Sequence, residues 1–271
     1  MSKLRENAFK NRSDAERSPS LATLIIGDLH LKSSRILPTV DEILEDNRDI
    51  NRLVFTGDIC DEWHSSDRTF EYDLRYFEEW VRTKRVDGYT VDAVYGNHDF
   101  QYLFRTEGPG THPSMYDFVI DLLASLDFRM AHVVDGMLVT HAGLTNAWAS
   151  KYLDVFTTAQ DAADQLNAMF DDLNENTMRA LYSAGAGRGG VDIPGPLWAD
   201  KDELELDAVP YFNQIVGHTP VYTVLDEKSL RVDEGDVTTL WFCDTFSLTP
   251  WMLQIGDGTM IKVTNGKVAI V

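Results

Sequence analysis

Five times in this sequence a short apolar run, with the character of a buried strand, empties into a cluster of glycine with aspartate, asparagine or histidine. Leu24-Ile25-Ile26 leads into Gly27-Asp28-Leu29-His30, and Leu53-Val54-Phe55 leads into Gly57-Asp58. Val94-Tyr95 leads into Gly96-Asn97-His98-Asp99, Met137-Leu138-Val139 into His141-Ala142-Gly143, and Gln214-Ile215-Val216 into Gly217-His218. Such a chain delivers carboxylates, an amide and imidazoles to strand ends. The glycines there let the backbone turn sharply and approach a bound group closely.

Helical spacing fills the gaps between the runs. Ile36, Val40, Ile43 and Leu44 predict one helix, with Pro38 in its first turn; Phe70, Leu74, Phe77 and Val81 predict a second, and residues 116–126 a third. With strands predicted at 22–26, 52–55 and 91–95, the alternation argues for a parallel α/β arrangement whose chemistry lies at the carboxyl ends of its strands. Residues 146–183 read as mostly helical, acidic and alanine-rich, an expected cap insertion. Residues 184–196 hold five glycines and two prolines, which makes them a loop, and their length suits an active-site loop. Beyond residue 216 the pattern turns β-rich, with strands predicted at 222–225, 239–243, 251–255 and 260–263. Gly256-Asp257-Gly258 is expected to form the hairpin between the last two. Residues 1–20 are polar and charged, expected as a disordered tail, and 21–271 read as one domain with two sheets.

Charge excludes several classes of partner. Lys and Arg number 24 against 44 Asp and Glu, a formal net charge of −20, so polymeric nucleic acid and anionic membrane are not expected to bind. The two cysteines, Cys60 and Cys243, cannot build a disulfide scaffold and suit a reducing compartment. No apolar run is long enough to span a bilayer, and the expected location is the cytoplasm. Cys60 reads as a packed thiol, and His64, His112 and His132, which lie outside the clusters, as surface or core residues.

Asp28, His30, Asp58, Asn97, His141 and His218 together offer hard oxygens and imidazole nitrogens without a thiolate. That set suits Mn²⁺, Fe or Zn²⁺ in a reactive centre better than a structural zinc site. Asp28 and His30, two residues apart beyond a strand end, can turn toward one ion, and a carboxylate such as Asp58 can bridge two. Two ions roughly 3.5–4 Å apart can polarise a phosphoryl group and convert bridging water to hydroxide.

The series Asp28-Leu29-His30, Gly57-Asp58, Gly96-Asn97-His98-Asp99, Thr140-His141-Ala142-Gly143 and Gly217-His218-Thr219-Pro220 resembles the calcineurin-like metallophosphoesterase superfamily. The resemblance implies a four-layer α-β-β-α sandwich with two mixed sheets and a dinuclear centre at the strand ends. It implies that Asp28 and His30 hold the first ion, that Asp58 bridges, and that Asn97, His141 and His218 hold the second. His98 is then the general acid, oriented by Asp61, and Asn97 also faces the substrate.

Finer features resemble the phosphoprotein-phosphatase branch: His141-Ala142-Gly143-Leu144, Leu197-Trp198-Ala199-Asp200 and Asp244-Thr245. Two positions depart from it. Leu31 stands where that branch usually has glycine, and Asp61-Glu62-Trp63 replaces its Asp-Arg-Gly, so the phosphate-binding arginine is missing. Arg188 in the glycine-rich loop, or else Arg105, is expected to supply the guanidinium. Asp200 is expected to cap or brace that loop. The implied activity is metal-dependent hydrolysis of a phosphomonoester or phosphoanhydride, on a small phosphorylated molecule or a phosphoprotein. The alternatives are a non-catalytic metal-binding scaffold of the same fold and a phosphodiesterase or nuclease, the last disfavoured by charge.

Overall fold

The computed structural model describes residues 21–62, 65–230, 238–247 and 256–271. The expected tail, His64 and the strand expected at 251–255 lie outside the described residues. In chain order the first half comprises β1 (Ala22–Ile26), α1 (Ser33–Asp46), β2 (Ile50–Phe55), α2 (Asp67–Val86), β3 (Thr90–Ala93), α3 (Asn97–Leu103) and α4 (Tyr116–Leu126). There follow β4 (His132–Val134), β5 (Met137–Val139), α5 (Asn146–Tyr152), α6 (Ala159–Asp171), α7 (Glu175–Leu181) and α8 (Lys201–Asp207). The chain closes with β6 (Gln214–Pro220), β7 (Leu225–Lys228), β8 (Thr239–Asp244), β9 (Ile261–Thr264) and β10 (Lys267–Ile270).

Two five-stranded sheets form, ordered β10-β9-β1-β2-β3 and β4-β5-β6-β8-β7. In the first sheet β1-β2-β3 run parallel, β3 forming one edge, and antiparallel β9 and β10 continue beyond β1; in the second, parallel β5-β6-β8 lie between the antiparallel edge strands β4 and β7. Period-two alternation explains the layering. Leu24, Ile26, Leu53 and Phe55 turn outward to a core shared with α1 and α2, whereas Ile25 and Val54 turn inward to meet Val139, Ile215 and Cys243 of the other sheet. The second sheet is covered by α6 on one part, and by Leu204 of α8 and Ala208 just beyond it against Val216, Leu240 and Phe242. Helices outside and two mixed sheets inside make the four-layer sandwich.

Some boundaries differ from the sequence pattern for identifiable reasons. Pro38 lies well inside α1, because Asp73 of α2 starts that helix earlier. The Asp73 carboxylate accepts from Ser33 N (2.9 Å), Ser34 N (3.0 Å) and Ser34 Oγ (2.9 Å), meeting the N–H groups that no helical partner satisfies. The last hairpin among the described residues, β9 to β10, turns at Asn265-Gly266 (φ 51° and 73°), the left-handed pair a two-residue hairpin requires, while the hairpin expected through Gly256-Asp257-Gly258 has its first strand outside the described residues. β7 begins at Leu225, three residues later than expected. No helix among the described residues is long and apolar enough to cross a membrane.

Candidate metal centre

The parallel strands all end on one edge of the sandwich, and each hands its polar cluster to the same place. Asp28 and His30 follow β1, Asp58 follows β2, Asn97 opens α3 after β3, and His141 follows β5. His218 departs slightly from expectation, since it lies within β6, at an irregularity in the pairing with β8 between Val216 and Pro220. Holding these residues together takes strained backbone. His30 (φ 42°), Leu31 (52°), Asp58 (50°), Asp61 (64°) and His218 (65°) are all left-handed, a conformation that costs an L-residue roughly 1–2 kcal/mol. The value at Leu31 shows why glycine suits that position. Burial of the leucine side chain offsets the strain here.

Two glycines are dictated by close approach. A Cβ at Gly96 would stand 2.0 Å from Asp58 Oδ1, and one at Gly217 would stand 2.0 Å from Asp28 Oδ1. Only bare backbone fits against either carboxylate.

The donor atoms converge in two overlapping groups, Asp28-His30-Asp58 and Asp58-His141-His218. Asp58 Oδ2 lies 3.6 Å from His30 Nε2 and 3.4 Å from His141 Nε2, between the two groups. His141 Nε2 is also 2.9 Å from Asn97 Oδ1 and 3.0 Å from His218 Nδ1. Backbone carbonyls fix the rings: His141 Nδ1 donates to Thr56 O (2.8 Å) and His30 Nδ1 to Asp61 O (2.9 Å), leaving both Nε2 atoms pointed inward. His218 Nε2 is buried with no hydrogen-bond partner among the described residues. Donor atoms about 2.1 Å from one ion stand roughly 3.0–3.4 Å apart at octahedral or tetrahedral angles, so this spacing fits a divalent cation.

Electrostatics agree with the geometry. Burial and the nearby His98 and Lys32 lower His30 to about 3, against the pull of Asp58. Burial, His141 and Arg188 lower His218 well below its ordinary value. Both shifts favour the neutral ring, the form able to ligate a metal. At His141 burial opposes a charge, but the carboxylates of Asp58 and Asp28 outweigh it and lift the ring to about 9. That spot calls for a positive charge, which a metal ion would supply in place of a proton. Burial, with Asp244 beside it, raises Asp28.

Around these donor atoms lies a pocket of about 320 Å³ lined by His98, Asp61, Arg188, Trp198, Lys32 and Glu62 among others. His98 Nδ1 is 3.1 Å from Asp61 Oδ2, and Asp61 also accepts from Tyr102 Oη (2.5 Å) and from Gln101 Nε2. Burial works against protonating His98, but Asp58 and the hydrogen bond to Asp61 prevail and raise its pKa. The Asp58 Oδ1 atom accepts from His98 N at 2.9 Å, so the loops after β2 and β3 are tied together twice.

Arg188 reaches the pocket wall with Nη2 2.7 Å from Thr219 Oγ1 and Nε 3.0 Å from Asp200 Oδ2. Asp200 also caps α8, accepting from Asp202 N. Arg105 is not brought there; its guanidinium pairs with Asp117 at the surface and lies over the Tyr116 ring. Sequence reasoning missed Lys32, Glu62, Gln101 and Tyr102 as pocket residues or supports. For Lys32 the signal was its place two residues beyond His30, where the same turn carries both side chains inward.

The sequence profile of calcineurin-like phosphoesterases matches residues 21–246, and the chain belongs to that family. Its members depend on a dinuclear metal centre, which the two overlapping ligand groups accommodate. A solved cold-active protein tyrosine phosphatase superposes with a TM-score of 0.57 at 17% identity, over 93% of this chain and 78% of its own. The cold-active protein-tyrosine phosphatase of a psychrophilic Shewanella species gives 0.53 at 17% identity, over 93% and 80%. A Pseudomonas putida nuclease gives 0.36 at 15% identity, over 92% and 87%. For the two phosphatases, at such identities, the likeness is one of fold. No curated protein sequence matches the chain.

Proposed function

We propose that this protein is a dinuclear metal-dependent phosphatase that hydrolyses a phosphomonoester or phosphoanhydride on a small molecule or a phosphoprotein. One observation carries the reading: His98, a non-ligand imidazole held by a buried carboxylate, stands beside converging metal ligands in a pocket that also holds Arg188. Asp28, His30 and Asp58 would hold one ion, and Asp58, Asn97, His141 and His218 the other. Manganese is the expected species on hard oxygen and imidazole donors. When bound, the ions supply Lewis acidity to the phosphoryl group and to water.

The chain's own groups do the rest. Arg188 presents a guanidinium whose direction is set by Asp200 and Thr219, which suits it to orient phosphate oxygens. Asp61 accepts the Nδ1 hydrogen of His98, so the proton on Nε2 is the one available to the leaving oxygen. Tyr102 and Gln101 hold Asp61 in turn. A net charge of −20 weighs against a nucleic acid substrate.

The test is a panel of phosphomonoesters, diesters, phosphopeptides and nucleotides, each assayed with Mn²⁺ and with chelator. Metal-dependent turnover of monoesters or anhydrides above diesters is expected. A preference for diesters, or no turnover with metal present, would overturn the proposal.

A further inference from the structure

The geometry points to Lys32 as a second ligand to the substrate's phosphate, positioned by Glu62 and distinguishing monoesters from diesters. This inference rests on the phosphatase reading above. Lys32 is only 9% exposed, yet it lines the same pocket as His98 and Arg188. Its Nζ lies 3.1 Å from Glu62 Oε2 and 3.3 Å from the His30 carbonyl. An ammonium carries three hydrogens, and these are the two hydrogen-bond acceptors found for it among the described residues.

A lysine this deep is costly to desolvate, and one hydrogen-bonded carboxylate, with Asp244 and Asp28 farther off, does not by itself make the arrangement favourable. The placement makes sense if the charge is used. Lys32 follows His30 of one ligand group, whereas Arg188 is bonded to Thr219, the neighbour of His218 in the other. One cation thus stands beside each half of the centre. A phosphomonoester dianion facing the centre keeps oxygen charge directed to the side walls, where Arg188 and Lys32 would meet it. A diester has esterified one of those oxygens and carries one charge fewer, so it gains less from Lys32. Glu62 keeps the ammonium in place between substrates and opposes anions when Lys32 is removed.

The test uses the Mn²⁺-loaded full-length protein, with inorganic phosphate as the calorimetric probe and aryl phosphate mono- and diesters as substrates. Lys32→Met should weaken phosphate binding by roughly 10- to 100-fold, the worth of one charge-assisted hydrogen bond. Metal content should hold, and the monoester-to-diester ratio of kcat/KM should fall. Glu62→Gln should act in the opposite direction and tighten phosphate binding. If Lys32→Met folds poorly because Glu62 loses its ammonium, the double variant Lys32→Met/Glu62→Gln removes that charge and should still bind phosphate weakly with a lowered ratio. Wild-type phosphate affinity in Lys32→Met or in the double variant would overturn the inference. So would equal weakening by Lys32→Met and Glu62→Gln, the pattern of a merely structural ion pair. A wild-type protein that neither binds phosphate nor cleaves the monoester would remove the phosphatase reading and this inference together. A wild type that does both, beside an unaltered Lys32→Met, would remove this inference alone.

Discussion

Gly96→Ala tests whether the centre depends on backbone contact between two loops. The added methyl would stand 2.0 Å from Asp58 Oδ1 and 2.3 Å from Asp58 N. Real carbon–oxygen contacts are above 3 Å, so the loops after β2 and β3 must part by about 1 Å, and the backbone on one side cannot yield as a side chain would. The same methyl intrudes on the 2.9 Å hydrogen bond from His98 N to Asp58 Oδ1. Overpacking of this kind costs about 1–3 kcal/mol, which in a domain of this size lowers Tm by roughly 2–12 °C. A misplacement of about 1 Å between reacting groups also costs on the order of 10²-fold in rate. The control is Gly88→Ala. Gly88 has a positive φ of 96°, unlike Gly96 at −91°, and nothing lies within 4 Å of its added Cβ, so only backbone strain is paid there and no overpacking. Metal stoichiometry after equilibrium dialysis with Mn²⁺, thermal melting and aryl phosphate turnover should all fall in Gly96→Ala, while Gly88→Ala loses melting temperature alone. Wild-type metal content and turnover in Gly96→Ala would refute the reasoning.

His98→Ala should keep two ions and the fold yet lose roughly 10²–10⁴ in turnover, with a smaller loss for aryl phosphates of very acidic leaving groups. Metal loss, or an equal defect across leaving groups, would deny it the acid role. Asp73→Ala should cost about 2–4 kcal/mol in urea unfolding with an unchanged m-value, because it strips three hydrogen bonds from the start of α1. An unaltered midpoint would show that water replaces the carboxylate. His132 has its pKa lowered chiefly by burial, so its neutral ring is the form the fold accepts. Stability owed to it is complete above the ordinary value near 6.5 and falls as pH drops toward the lower folded pKa, where the unfolded chain takes a proton the folded one refuses. Melting followed from pH 8 to 5 should therefore decline less steeply in His132→Gln than in the wild type, and parallel curves would dismiss the residue as a contributor.

What the sequence determined by itself is local in origin. An apolar run must be buried and a following Gly-Asp or Gly-Asn-His cluster cannot extend it, so strand ends and their polar cargo were legible residue by residue. The alternation of such runs with helical spacing argued for a parallel α/β arrangement, and the order of the clusters pointed to the family and, through it, to the sandwich of two mixed sheets. Element boundaries were less legible where another element intervenes: α1 begins at Ser33 because Asp73, forty residues away along the chain, satisfies its first N–H groups. Only the tertiary structure decided between Arg188 and Arg105 as a pocket residue. Both are arginines in polar loops, and what separates them is that Asp200 and Thr219 face one while Asp117 takes the other to the surface. Lys32 and Glu62 were likewise invisible as a pair, since a charged residue in a turn is ordinarily solvated. The fold brought them together in the pocket wall, because the loops after β1 and β2 lie side by side there, with Leu29, His30 and Leu31 N donating to the Asp58 and Ile59 carbonyls.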